Sequence, residues 1–270
     1  MAIDVILRTC SNSFVQIKPT GTQRIVSCPL PELRIKCFAS LLRTVKYFKV
    51  RSNEIQLTVL DDHSSNDFLD KLNFLIGKYA LTNCAKVVSL QGSGSKNSSY
   101  QQFLCGKQSE ANLVYFVEDD YFHTEDAISA MFSFQTSGQV QSLNPFKRVA
   151  VSPYDCPHRY WSQQHSPSVI FYHENRYWRT TNNSSYTVFL DTSVIRDAWN
   201  IFERLATVPN VHENDTINQL WSNLVFDRGV VALVSPIPSV GVHVSYLDEP
   251  PNRLITQMAD FEREWTAFEV

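Results

Sequence analysis

Leu113-Val114-Tyr115-Phe116-Val117 is an unbroken apolar run that stops abruptly in three carboxylates, Glu118, Asp119 and Asp120. Five such residues read as a strand buried on both faces, and the acids emerge where that strand ends. The carboxyl edge of an open parallel sheet forms a ligand crevice, so an acidic triplet there faces whatever is bound. Its chemistry is that of hard oxygen donors, which hold Mg2+ or Mn2+ through one or two carboxylates together with the phosphates of a ligand. Glu118 and Asp120, two residues apart, can direct one carboxylate at the cation and the other at the ligand. The competing account is a solvated acidic loop ahead of a helix that starts near Thr124 and carries Glu125 and Asp126 in its first turn.

A second acidic group, Asp61-Asp62, closes the apolar run Ile55 to Leu60 and is followed by His63, Ser64, Ser65 and Asp67. An acid at such a strand end can bond the ribose or base of a nucleotide. Helix capping accounts for part of the cluster, though less well for two adjacent acids directly after the strand. The loop Gly92-Ser93-Gly94-Ser95-Lys96-Asn97 lacks the final glycine of a dinucleotide fingerprint, and Lys96 in it can reach a phosphate. Trp161, Tyr177, Trp178 and Arg179 offer either an aromatic and cationic platform for an acceptor or ordinary core and edge-strand aromatics.

The elements that must position these groups follow a strand and helix alternation. Ile3 to Leu7 is a short strand; a helix begins near Pro31-Glu32, where Phe38, Leu41, Leu42, Val45 and Phe48 recur at three- and four-residue steps. Strand Ile55 to Leu60 precedes a helix marked by Leu69, Leu72, Leu75, Ile76 and Tyr79. A strand from Lys86 to Leu90 and a helix from Ser98 to Glu110 lead into the acidic strand. This rhythm predicts a parallel α/β sheet whose right-handed crossovers set the strand ends along one edge. The second half is less regular. Strands are expected at Val149 to Pro153, Val169 to His173, Tyr186 to Leu190 and Val230 to Val234, with the stretch Arg176 to Asn183 as a separator. Helices are expected over Thr192 to Ala206 and Asp215 to Arg228, and an amphipathic tail surrounds Phe261 and Trp265.

With 270 residues, 43% of them hydrophobic, the chain can bury a full core, and one domain is expected over 1–270, with a first half 1–123 and a second half 124–270. A formal net charge of -3 with scattered Lys and Arg lacks the footprint of a general nucleic-acid binder. The six cysteines stand far apart without a Cys-x-x-Cys pair, so they read as small buried residues rather than a zinc or redox site. No run approaches membrane-spanning length, and the N-terminal residues lack the basic flank of a signal peptide, which together place the chain in the cytoplasm. Attachment at a membrane surface through the amphipathic tail remains compatible with this.

Arg8-Thr9 after the first strand, Asp61 to Asp67 after the second and Glu118 to Asp120 after the fourth together resemble the GT-A glycosyltransferases, especially the large inverting family (family 2-like) that builds polysaccharides and glycoconjugates. The resemblance covers the first half and implies a mostly parallel open sheet flanked by helices, with a mixed acceptor-side portion. It implies that Arg8, Thr9, Asp61, Lys96, Glu118 and Asp119 surround a nucleotide-sugar donor, UDP-linked in preference to GDP-linked. It further implies that Glu118, Asp119 and Asp120 form the DXD motif, and that Asp120, Glu118 and the late His243 hold Mn2+ or Mg2+. Glu118 stands where the motif has Asp, and Asp120 is favoured as the direct ligand.

Breaking the bond between a sugar and a nucleoside diphosphate builds negative charge on the leaving group, so a bridging cation lowers the barrier. Inverting transfer to a hydroxyl or glycan acceptor also needs a base on the opposite face. Asp215, with Glu213 as alternative, is similar to the Glu-Asp element that supplies it, and the competing account is that Asn214 or Asp215 is only a helix N-cap. Trp178 and Arg179 are expected on the acceptor side. The competing functions are a nucleotidyltransferase on a similar sheet and a catalytically silent nucleotide- or glycan-binding module. The first normally carries a Gly-rich, Arg-bearing loop after strand one, and Thr9 to Ser13 contains neither residue type.

Overall fold

The computed structural model describes residues 1–11, 29–51, 54–155, 168–181, 187–208, 211, 216–222, 231–244, 261–268 and 270. Its first half is the expected alternation: β1 (Ile3–Thr9), α1 (Leu30–Arg51), β2 (Ile55–Asp61), α2 (Asn66–Lys78), β3 (Ala85–Ser89), α3 (Ser95–Gln108) and β4 (Leu113–Glu118). Strands pair in parallel in the order β3-β2-β1-β4. The chain therefore steps outward from β1 through β2 and β3, then returns to the other side of β1 with β4. That reversal opens a crevice between the carboxyl ends of β1 and β4.

Beyond β4 come β5 (Tyr121–His123), α4 (Ala127–Thr136), α5 (Gln139–Leu143), β6 (Arg148–Val151), β7 (Ile170–His173), β8 (Arg176–Thr181) and β9 (Val188–Asp191). Three short helical segments follow, α6 (Thr192–Asp197), α7 (Trp199–Phe202) and α8 (Arg204–Thr207), then β10 (Trp221–Ser222), β11 (Val231–Ile237), β12 (Gly241–His243) and α9 (Phe261–Ala267). Among the described residues the main sheet continues β4-β9-β6-β11-β8-β7 with mixed pairing, and β5 and β12 form a separate antiparallel ribbon. This is the mostly parallel open sheet with a mixed second half that the sequence predicts.

Alternation of β-strand side chains divides the core. Ile3, Val5 and Leu7 pack with α1, α2 and α4, whereas Ile6 packs on the opposite face with Phe103, Phe116, Ile195 and Phe202. Helix α3 is anchored at the β1–β4 seam by the buried Gln102, whose amide donates to the carbonyls of Ile6 (2.7 Å) and Val117 (2.9 Å).

Three expectations for the second half are corrected. Arg176 to Thr181 is not a separator but a strand paired on both sides, with β11 and with β7. Its period-two burial is visible in Tyr177, 56% exposed, beside Trp178, 1% exposed. The helix expected to run on from Asp215 ends in a single 3-10 turn at Asn218–Leu220, after which Trp221–Ser222 pairs with β11. Burial of Leu220 and Trp221 together with strand pairing overrides the helical spacing. The helix expected over Thr192 to Ala206 is broken into three, the first capped by the Asp191 carboxylate accepting from the Ser193 amide at 2.8 Å.

Candidate active site

The crevice at the β1–β4 edge is a cleft of about 440 Å3 lined by Arg8, Thr9, Cys10, Arg34, Asp62, His63, residues of the Ser93 to Ser98 loop, and Glu118, Asp119 and Asp120. The acidic triplet is thus brought to the end of β1, as register requires: Arg8 pairs with Glu118 on neighbouring parallel strands. The three acids are held quite differently.

Glu118 accepts from Arg8 Nη2 at 2.6 Å, while Arg8 Nη1 donates to the Oγ (3.2 Å) and carbonyl (3.4 Å) of Ser95 at the start of α3. Burial pushes the Glu118 carboxyl above the ordinary range; the Arg8 guanidinium opposes that rise and the nearby Asp120 charge adds to it. Asp119 points the other way and braces the chain leaving β1, because its Oδ2 accepts from Thr9 Oγ1 (2.8 Å) and the Cys10 amide (3.2 Å) and lies 3.0 Å from Arg34 Nε. Its carboxyl is also raised by burial, with the Arg34 charge as the main opposing influence. Arg34 donates as well to the Cys10 carbonyl.

Asp120 lies in the turn between β4 and β5, where its Oδ2 is 3.0 Å from His243 Nε2. The β5–β12 ribbon accounts for this long-range meeting, since Tyr121 pairs with His243 and the Val244 amide donates to the Asp120 carbonyl at 2.9 Å. Behind the ribbon, Phe122 packs against Trp265 and Phe268 of the C-terminal segment at ring separations of 5.2 and 5.4 Å. Trp265 of the expected amphipathic tail is therefore packed within the molecule.

Of the two acids after β2, Asp61 is buried and accepts from the Ser64 amide at 3.2 Å, closing the turn into α2. Its neighbour Asp62 is the one on the cleft wall, accepting from the Gly94 amide at 2.8 Å and meeting His63 Nδ1 at 3.0 Å. Gly94 and His63 both have positive φ, 100° and 61°, so the two loops meet in left-handed backbone that glycine adopts freely and histidine seldom does.

Other predicted residues lie elsewhere. Lys96 turns away and donates to the Val208 carbonyl at 2.7 Å. Trp178 is a core residue stacked on Phe134 at 4.4 Å, so it offers no acceptor platform. Arg179 pairs with the buried Asp155 at 2.6 Å. Asp215, Glu213 and Trp161 lie outside the described residues.

Sequence reasoning passed over Arg34, and of the Asp61-Asp62 pair it assigned the nucleoside contact to Asp61, whereas Asp62 lines the cleft. A signal for Arg34 existed, because it falls in step with Phe38, Leu41 and Val45 on the buried stripe of α1, where a lone charge needs a partner.

A divalent cation fits this donor set. Cis ligands of an octahedral ion about 2.1 Å from it lie about 3 Å apart, and Asp120 Oδ2 and His243 Nε2 have that separation. No group of three or more His, Cys, Asp or Glu that could hold a metal ion forms among the described residues, so a cation at the Asp120–His243 pair would take its remaining ligands from substrate oxygens and water. Charge points the same way: four carboxylates face two arginines around the cleft, an excess that would repel a diphosphate unless a cation offset it.

No family model and no curated protein matches this sequence. Solved structures with a similar fold include S. aureus TarS, at 16% identity and a TM-score of 0.48 over 87% of this chain, and its 1-349 form, at 14% and 0.48 over 96%. The chain spans 35% and 61% of the length of these two. The galactosyltransferase LgtC, in complex with donor and acceptor sugar analogues, is similar at 11% identity and a TM-score of 0.42, over 85% of this chain and 72% of LgtC.

Proposed function

We propose that this protein is a glycosyltransferase that moves a sugar from a nucleoside diphosphate donor, UDP-linked in the first instance, to a hydroxyl acceptor with the help of Mn2+ or Mg2+. The observation that carries the reading is the meeting of Asp120 and His243, 3.0 Å apart and 123 residues apart in sequence, where Asp120 lines with Glu118 the cleft at the switch point of the sheet.

Asp120 and His243 would hold the cation, with Glu118 next to them. A cation bound there would stabilise charge developing on the leaving diphosphate. Asp62 and the Gly94 loop form the wall that a nucleoside would meet, and Asp119 ties Thr9 at the end of β1 to Arg34 of α1. Arg8 places positive charge beside the triplet. In the proposed reaction the carboxylate of Asp215, or of Glu213 in its place, takes the acceptor's proton as the acceptor oxygen attacks the anomeric carbon. The sugar–phosphate bond breaks on the opposite face.

Calorimetric titration with UDP, with and without Mn2+, tests the site. Asp120→Asn and His243→Ala are expected to weaken Mn2+-dependent UDP binding by roughly tenfold or more, as loss of a metal-site partner does. Asp215→Asn is expected to leave UDP binding intact and abolish transfer. UDP binding that ignores both Mn2+ and the Asp120 substitution would overturn the proposal.

A further inference from the structure

We propose that Arg8 and Glu118 form an exchangeable ion pair, in which the guanidinium that neutralises Glu118 in the free protein passes to the donor diphosphate when a cation takes the carboxylate. Cation and nucleoside diphosphate would then bind interdependently. The inference rests on the functional reading above and adds a coupling device to it.

The geometry supports exchange at Glu118 and not at its neighbour. Arg8 and Glu118 are register partners on adjacent strands, both on the cleft wall, with side chains 13% and 19% exposed. Among the described residues, Arg8 is the side chain that bonds the Glu118 carboxylate. Asp119 is instead held at once by a hydroxyl, a backbone amide and a guanidinium, three partners that an exchange would have to break. Glu118 and Asp120 line the same cleft, and Asp120 meets His243 at 3.0 Å, so a Glu118 carboxylate released by Arg8 would be a further donor beside that pair.

Arginine suits the second half of the exchange. Its planar fork matches a phosphate as well as a carboxylate, and its five N–H groups allow it to pivot while still bonded to Ser95. With four acids around two arginines, the free cleft uses Arg8 to limit repulsion; a bound divalent charge relieves that need. Linkage then requires that the factor by which the cation raises diphosphate affinity equal the factor by which the diphosphate raises cation affinity.

The test is calorimetry on Arg8→Gln with Mn2+ alone, with UDP in saturating Mn2+, and with uridine. Mn2+ alone is expected to bind roughly fivefold more tightly, and UDP in Mn2+ roughly fivefold or more weakly, the low end of typical coupling between sites; uridine affinity stays unchanged. Glu118→Gln supplies an independent readout, because releasing Arg8 should raise UDP affinity without metal while lowering Mn2+ affinity. It keeps the question decidable should Arg8→Gln fail to fold. Shifts of the same sign in both ligands, which a merely structural arginine gives, overturn the exchange and leave the functional reading standing. Failure of the wild-type protein to bind UDP under any condition removes that reading and the exchange with it.

Discussion

Acid should weaken the ribbon that carries the Asp120–His243 pair, because His123 is held neutral inside it. His123 sits on β5, fully buried, with Nε2 2.6 Å from the Tyr115 hydroxyl. Burial lowers its pKa from 6.5 to about 3; a backbone hydrogen bond with Tyr121 opposes the shift and the Arg43 charge reinforces it. The same burial pushes the Tyr115 phenol well above its usual range, so the pair is neutral across the working range. Since the folded-state pKa is depressed, the unfolded chain binds the extra proton between these two values. The stability contribution is therefore full above the unfolded pKa of 6.5 and is lost progressively as pH falls toward 3. From pH 7 to pH 4.5 this group alone accounts for a loss of about 2–3 kcal/mol. Carboxylates titrate over the same range, so the measurement is a difference: urea unfolding of wild type and His123→Gln at both pH values. The stability advantage of wild type over the variant should shrink by about 2–3 kcal/mol on acidification. A gap that does not change with pH would refute the assignment of a buried neutral imidazole.

Gly106 on α3 faces Phe116, and an added Cβ would lie 2.5 Å from Phe116 Cζ and 3.1 Å from Ile195 Cδ1. Gly106→Ala is therefore expected to destabilise by about 1–3 kcal/mol despite the better helix propensity of alanine, read as a lowered unfolding midpoint. Trp178→Ala is expected to cost about 3–5 kcal/mol in urea unfolding, as a core truncation does. At a temperature where the variant stays folded, its acceptor dependence should match that of wild type, and a selective rise in acceptor KM would restore Trp178 to the acceptor side.

What could be read from the linear chain is the part built by local rules. The run Leu113 to Val117 has to be a buried strand, and an acid cluster directly after it has to lie at the strand's carboxyl end. Helix α2 declares itself through Ser65, whose hydroxyl accepts from the Phe68 amide at 3.4 Å, and through its spaced apolar residues. The alternation of such elements is enough to order β1 to β4 and to place Thr9, the Asp61-Asp62 pair and Glu118 along one edge, because right-handed crossovers leave few other arrangements.

Residue type and spacing alone left other matters open, and tertiary packing decided them. How each of three adjacent acids is partnered depends on Arg8, Arg34 and His243, contributed by β1, α1 and β12, and no local pattern encodes those encounters. Asp61 and Asp62 are chemically equal in sequence; one closes a turn and the other lines the cleft because successive side chains leave the backbone in opposite directions. Trp178 looked available for a ligand, yet pairing of β8 with β11 turns it onto Phe134 in the core. Composition sets what a side chain can do, whereas the direction in which the folded backbone aims it sets what it does.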